Sequence, residues 1–212
     1  MKYFVWISAL LTLASLGACS PMQRDRSKEE SQVSGISIVQ KVCSACHGAT
    51  GESISPMFPK LAGQQHDYLQ LQLADFKGHV RKDAVGTEYM WGFTHLTNQQ
   101  IEEITNYFSS QLPMKAPTTS KAHVNERGQE IYLHGLAEKG VVQCVACHGD
   151  LAQGRNEFPR LAGQHTDYLI KQLSVFQNSD DRPRGQMMRA VAHQLSPQDK
   201  SDVAEYITNL GR

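Results

Sequence analysis

The chain has 212 residues, 40% of them hydrophobic, which is enough for two domains with cores of their own. Its 21 lysine and arginine residues are balanced by 21 acidic residues. A nucleic-acid-binding protein needs a basic stripe or an aromatic stacking platform. The sequence has neither, so we predict no nucleic-acid partner.

Residues 1–18 have the pattern of a bacterial signal peptide. A lysine precedes an apolar run over residues 3–16, which is too short for a comfortable membrane-spanning helix. The run ends in Leu-Gly-Ala-Cys, which resembles the lipobox of bacterial lipoproteins, where the cysteine becomes the acylated first residue. We therefore predict that Cys19 is lipidated and anchors the protein to a membrane. Cleavage with an unmodified Cys19 and an uncleaved anchor are the alternatives.

Residues 19–34 are polar and mixed in charge, so we predict a flexible tether that separates the lipid from the fold. The first domain is predicted to span residues 35–114. It opens with a helix, because Ile36, Val39 and their neighbours place apolar residues at helical spacing.

A five-residue motif follows this helix and occurs twice in the chain, as Cys-Ser-Ala-Cys-His at 43–47 and Cys-Val-Ala-Cys-His at 144–148. C-x-x-C-H is the attachment signature of c-type haem: two thiols one helical turn apart bond one porphyrin edge, and the histidine binds the iron. Zinc half-sites or redox disulfides do not explain a histidine in the same place twice. We predict two covalently bound haem c groups, held by Cys43, Cys46, Cys144 and Cys147 and ligated by His47 and His148.

The cysteine count agrees with this assignment, because four of the 5 cysteines are used and the remaining one is Cys19. Bacterial haem c is attached outside the cytoplasmic membrane, which fits an exported chain. We therefore predict a periplasmic, lipid-anchored protein, with the inner or outer membrane left open.

A Phe-Pro-x-Leu-Ala-Gly-Gln segment follows each motif, at 58–64 and 158–164. A metal-bound histidine usually donates its second ring N–H to a fixed acceptor. We interpret the carbonyls of Pro59 and Pro159 as these acceptors, with simple loop prolines as the alternative. The neighbouring Met57, whose repeat partner is Glu157, is assigned to packing.

The sixth iron ligand is predicted to be a methionine in a loop before each domain's last helix. Met90 holds this place in the first half, and the second half offers Met187 and Met188, of which we favour Met188. A methionine ligand raises the reduction potential and leaves the iron six-coordinate. His95 and His193 lie nearby and are weaker candidates.

The remaining helices have clear start signals. Asp67 suits the first turn of a helix with apolar residues over 68–76, and Thr97 suits the N-cap of the last helix of the domain. Residues 113–120 contain two prolines, two threonines and a serine, so residues 115–120 are predicted to be a linker. The second domain is predicted at 121–212, where Ser196-Pro197 repeats the helix start at Thr97. We predict an all-α fold of two tandem domains.

These motifs together resemble the dihaem cytochrome c4 family, which has two tandem class I cytochrome c domains. The resemblance rests on both C-x-x-C-H-G sites, both Pro-x-Leu-Ala-Gly-Gln segments and the paired methionines. It implies His/Met ligation at both haems, the role given above to the proline carbonyls, and a pseudo-two-fold arrangement that brings the haem edges together. The chain departs from the family in its lipobox and in the one-residue shortening after Met90.

The resemblance further implies that the chain carries single electrons in the periplasm, towards a terminal oxidase or another respiratory protein. We predict that it is not an enzyme. The alternatives are an electron-transfer subunit of a membrane-bound dehydrogenase or oxidase and, less favoured, a dihaem peroxidase, which needs one open iron site.

Overall fold

A computed structural model describes residues 33–93, 95–117, 125–177 and 179–211. The predicted signal peptide, the lipidation site Cys19 and the tether as far as residue 32 lie outside these ranges. Within the described ranges the fold is all-α, as predicted, because its β-type pairing is limited to isolated bridges. No helix there is long and apolar enough to cross a membrane.

The first domain contains five α-helices among its described residues, and the first of them leads directly into the Cys43–His47 motif. Their bounds are α1 Gly35–Ile38, which continues as a π-helical turn over Val39–Cys43, α2 Ser44–His47, α3 His66–Lys77, α4 Ala84–Met90 and α5 Asn98–Ser109. The side chain of Ser34 accepts a hydrogen bond from the N–H of Ser37 and so caps the start of α1.

The second domain repeats this order. Its described helices are α6 Glu126–His134, α7 Val145–His148, α8 Thr166–Gln177, α9 Gln186–Ala192 and α10 Pro197–Asn209. Short 3₁₀ turns lie at Ala137–Lys139, Ser179–Asp181 and Pro183–Gly185, and another follows α4 at Trp91–Phe93.

The predicted helix starts are confirmed. Thr97 caps α5 in a capping box with Gln100, and Ser196 caps α10 in a capping box with Asp199. Asp67 lies in the first turn of α3, where a carboxylate interacts favourably with the helix dipole.

Two expectations are wrong. The methionine-bearing segments were predicted as loops, yet each is a seven-residue helix, with Met90 the last residue of α4 and Met188 inside α9. Asp83 explains the first helix, because its side chain caps α4 by accepting from the N–H of Gly86 at 3.3 Å. Met57 is predicted to pack inside the domain, but this residue is 51% exposed.

Each domain is held by a close crossing of its first and last helices at a glycine. A Cβ on Gly128 of α6 would lie 2.0 Å from the carbonyl oxygen of Asp202 in α10. A Cβ on Gly35 of α1 would lie 2.6 Å from Cβ of Glu103 in α5. Each domain has its own apolar core, the first around Val39 and Phe108 and the second around Ile131.

Candidate haem sites and the domain interface

The site in the first domain is organised by one hydrogen bond. Burial of His47 lowers its pKa, and the only opposing influence is the carbonyl of Pro59, which lies 2.8 Å from Nδ1. In the neutral ring, Nδ1 donates to this carbonyl, so Nε2 carries the lone pair that can bind iron. The bond therefore fixes both the tautomer and the direction of the ring.

The second domain repeats this arrangement. Nδ1 of His148 lies 3.0 Å from the carbonyl oxygen of Pro159, and burial lowers the pKa of this ring as well. An edge-on aromatic ring confines each imidazole, with Phe58 centred 6.2 Å from His47 and Phe158 centred 6.4 Å from His148.

The thiols fit covalent attachment of haem. Cys43 and Cys46, like Cys144 and Cys147, sit one helical turn apart and are unpaired in the structure. Burial raises the pKa of Cys43 and of Cys144 to about 11. Each motif thus presents two unpaired sulfurs and one imidazole oriented through its Nδ1, which is the donor set that haem c requires.

The two methionine candidates in the second domain differ in exposure. Met187 is 65% exposed, whereas Met188, like Met90, is only half-buried. The preference for Met188 rests on its position in the repeat, seven residues before Leu195. His95 and His193 are both exposed.

A buried cationic cluster joins the two domains and was not anticipated from the sequence. It consists of Arg81, Asp83 and Gln72 from the first domain and Arg182 and Gln172 from the second. Both guanidinium groups donate to both glutamine oxygens, with Arg182 to Gln72 at 2.7 Å and Arg81 to Gln72 at 2.9 Å. Arg81 also forms an ion pair with Asp83.

The cluster holds two cations and one carboxylate, and all three side chains are at least nine-tenths buried. Burial by itself would lower the pKa of Arg81, but Tyr168 and Asp83 outweigh it and raise that pKa. The sequence repeat does contain these residues, since Gln72 matches Gln172 and Arg81 matches Arg182. The repeat does not show that the two copies contact each other.

Comparison with known proteins agrees with this geometry. The cytochrome c family model matches residues 33–111 and 125–211. A cytochrome c4 from Thiocapsa roseopersicina is 34% identical over 92% of this chain and 97% of its own. The solved structure of a cytochrome c4 from Acidithiobacillus ferrooxidans superposes with a TM-score of 0.73 at 34% identity, covering 79% of this chain and 98% of its own.

Other relatives are named after the enzyme from which they accept electrons. A thiosulfate dehydrogenase electron acceptor from Thiomonas intermedia is 30% identical over 98% of this chain and 93% of its own. Taken with the repeated attachment motif, these matches show that the chain belongs to the cytochrome c family, within its cytochrome c4 group, and is a dihaem electron carrier with two covalently attached haem c groups rather than an enzyme.

Proposed function

We propose that Cys43, Cys46 and His47 hold the first haem and that Cys144, Cys147 and His148 hold the second. Met90 and Met188 are the proposed sixth ligands, and Pro59 and Pro159 are the acceptors that orient the two histidines. The observation that carries this assignment is the paired hydrogen bond from each histidine to its proline carbonyl, at 2.8 and 3.0 Å.

When bound, each haem supplies an iron that alternates between the ferrous and ferric states by one electron. The protein's part is to orient the histidine and methionine side chains that would hold the iron. With both side chains bound, the iron would have no position for peroxide or oxygen, which favours electron transfer over catalysis at the iron.

The cationic cluster supports a further element of the assignment. Arg81 pairs with Asp83, whereas Arg182 donates to Gln72 and Gln172, and a buried charge that lacks a counterion is costly. Haem propionates are carboxylates, and they would supply the missing negative charge between the domains. We propose that Arg81 and Arg182 receive propionate groups there.

We propose that the protein works in the periplasm with redox proteins as donor and acceptor and is anchored to a membrane through lipid on Cys19. The signal-peptide pattern and the lipobox-like sequence support the location. Several buried acyl chains would make the anchoring durable, at about 0.8 kcal/mol per methylene.

Two partner classes are supported. A respiratory acceptor such as a terminal oxidase is proposed from the family resemblance, which spans most of the chain. The electron-acceptor relatives support a dehydrogenase as the donor. These roles are compatible, because one carrier can accept electrons from the first partner and deliver them to the second.

The native protein should be purified from membranes and the proteins that accompany it identified. Recovery as a free chain indicates a mobile carrier, and stoichiometric recovery with a dehydrogenase or oxidase indicates a subunit. Exposure of the purified protein to cyanide and hydrogen peroxide tests the iron sites. We expect an unchanged haem spectrum, whereas rapid cyanide binding or peroxide turnover would contradict ligation on both faces.

A further inference from the structure

Two glutamines at equivalent positions of the repeat each form two hydrogen bonds to the backbone of the opposite domain. Gln164 of the second domain donates from Nε2 to the carbonyl of Lys60 at 2.9 Å, and its Oε1 accepts the Lys60 N–H at 2.9 Å. Gln64 of the first domain makes the same pair of bonds with Arg160, at 2.9 and 2.7 Å. Both glutamines are at least 95% buried.

The residue bonded to the glutamine, Lys60 or Arg160, directly follows the proline whose carbonyl accepts from the histidine. The N–H of Lys60 and the carbonyl of Pro59 belong to one peptide group. That group accepts from Nδ1 of His47 at 2.8 Å on one side and donates to Gln164 at 2.9 Å on the other. A continuous chain of hydrogen bonds therefore runs from the second domain to the histidine of the first.

The reverse chain has the same form. Gln64 accepts from the peptide group whose carbonyl, that of Pro159, lies 3.0 Å from Nδ1 of His148. The buried side-chain amide of a glutamine in each domain is thus linked by hydrogen bonds to the histidine of the other domain. The two hydrogen-bond chains are related by the same sequence repeat as the two haem motifs.

We propose that Gln164 and Gln64 are positioning residues that tune the iron of the opposite domain through this relay. The inference rests on the proposed ligation by His47 and His148. An acceptor on a peptide N–H polarises the group and makes its carbonyl a stronger acceptor, because hydrogen bonds in a chain reinforce one another in a low dielectric. A stronger bond to Nδ1–H makes the imidazole a better donor to iron, which favours the ferric state.

The sign of the effect follows. Removal of the Gln164 acceptor weakens the bond from His47 to Pro59 and raises the reduction potential of the first haem. Removal of the Gln64 acceptor does the same to the second haem. A movement of the domain interface that lengthens these bonds would therefore change the reduction potentials of both haems.

The test compares Gln164→Leu and Gln64→Leu in the full holoprotein. The control is Gln65→Leu, which removes another bond between the domains, from Nε2 of Gln65 to the carbonyl of Gln153 at 2.8 Å. The backbone N–H of residue 65, which donates to Oε1 of Gln64 at 2.9 Å, is kept in this variant. The readouts are the two reduction potentials and the Nδ1–H proton resonances of the ligand histidines in the reduced protein. Contacts to the rings of Phe58 and Phe158 assign the two resonances.

We expect Gln164→Leu to move the His47 resonance upfield and raise one potential, with the His148 resonance unmoved. Gln64→Leu should move the His148 resonance upfield and raise the other potential. Gln65→Leu should leave all four values unchanged. Movement of the histidine in the glutamine's own domain, equal movement of both, or movement of neither would overturn the relay.

Gln164→Glu provides a second variant if the leucine variants fail to fold. Burial favours the protonated form of its carboxyl group, which can accept from the Lys60 N–H through one oxygen and donate to the Lys60 carbonyl through the other. The His47 resonance should therefore stay close to its position in the unmodified protein, and a large shift of this resonance would overturn the proposal. Failure of the ligand assignment is recognised separately, because the unmodified protein would then show no histidine Nδ1–H resonances displaced by haem.

Discussion

Arg184 of the second domain forms a bidentate ion pair with Asp75 of the first, with its Nε 3.0 Å and its Nη2 2.8 Å from the carboxylate. The carboxylate is buried whereas the side chain of Arg184 is 49% exposed. Bidentate arginine–carboxylate pairs restrict orientation as well as distance. This pair therefore helps to fix how the two domains face each other.

Asp75→Asn is expected to loosen the interface without unfolding either domain. We expect a loss of about 1 kcal/mol, since one partner remains half exposed to water. The measurement is denaturant unfolding followed separately through the two domains. Arg189→Gln is the matched control, because its contact with Asp180 at 3.6 Å is between exposed groups. An equal effect of both variants would contradict a special role for the Asp75–Arg184 pair.

Gly128→Ala is expected to destabilise the second domain. The added methyl group would lie 2.0 Å from the carbonyl oxygen of Asp202, so α6 and α10 must separate. Such overpacking costs about 1–3 kcal/mol. Gly92→Ala is the control, as nothing lies within 4 Å of its Cβ position. Comparable midpoints of thermal unfolding for the two variants would show that the crossing is less rigid than described.

Asp199 should contribute stability that depends on pH. Burial opposes ionisation of this carboxyl, but Lys139 at 2.6 Å and the hydroxyl of Ser196 at 2.8 Å outweigh it and lower its pKa. A depressed folded pKa gives stability that is present above the unfolded value of about 4 and is lost as the pH falls towards the folded value.

The measurement compares Asp199→Asn with the unmodified protein in denaturant unfolding from neutral pH to about pH 3. Loss of the ion pair and weakening of the cap should cost about 1–2 kcal/mol near neutral pH. The difference should shrink as the pH falls. Lys139→Met should reduce the same pH-dependent part. A difference that stays constant over this range would contradict the account.

Met90 and Met188 should each account for about half of the weak near-infrared band that thioether-to-iron ligation gives in ferric haem. Met90→Ala and Met188→Ala test this separately, and Met187→Ala is the control because it changes the neighbouring methionine alone. Loss of the band in Met187→Ala alone would reverse the choice within the pair. An unchanged band in Met90→Ala would assign another ligand to the first haem.

The repeated motifs and helix caps could be predicted because their causes are local. Thr97 and Ser196 mark helix starts through contacts three residues away, which the sequence displays directly. The helix α4 was not predicted because it is short and contains Gly86, a poor helix former. The capping residue Asp83 is therefore not followed by a recognisable helical pattern of apolar residues.

The domain interface could not be predicted in the same way. The bond from Lys60 to Gln164 joins residues 104 positions apart, and no spacing rule reaches that far. The glutamines were visible as a repeat, but a repeat shows equivalence and not contact. The arginine cluster is similar, as Arg81 and Arg182 meet only when the two domains are placed face to face.

The haem content of the purified holoprotein tests the central claim most directly. A pyridine haemochrome assay, set against the protein concentration from amino-acid analysis, should return two haems per chain, and both should stay with the protein after acid–acetone extraction. One haem per chain, or haem released by the solvent, would contradict two covalent sites at Cys43–His47 and Cys144–His148.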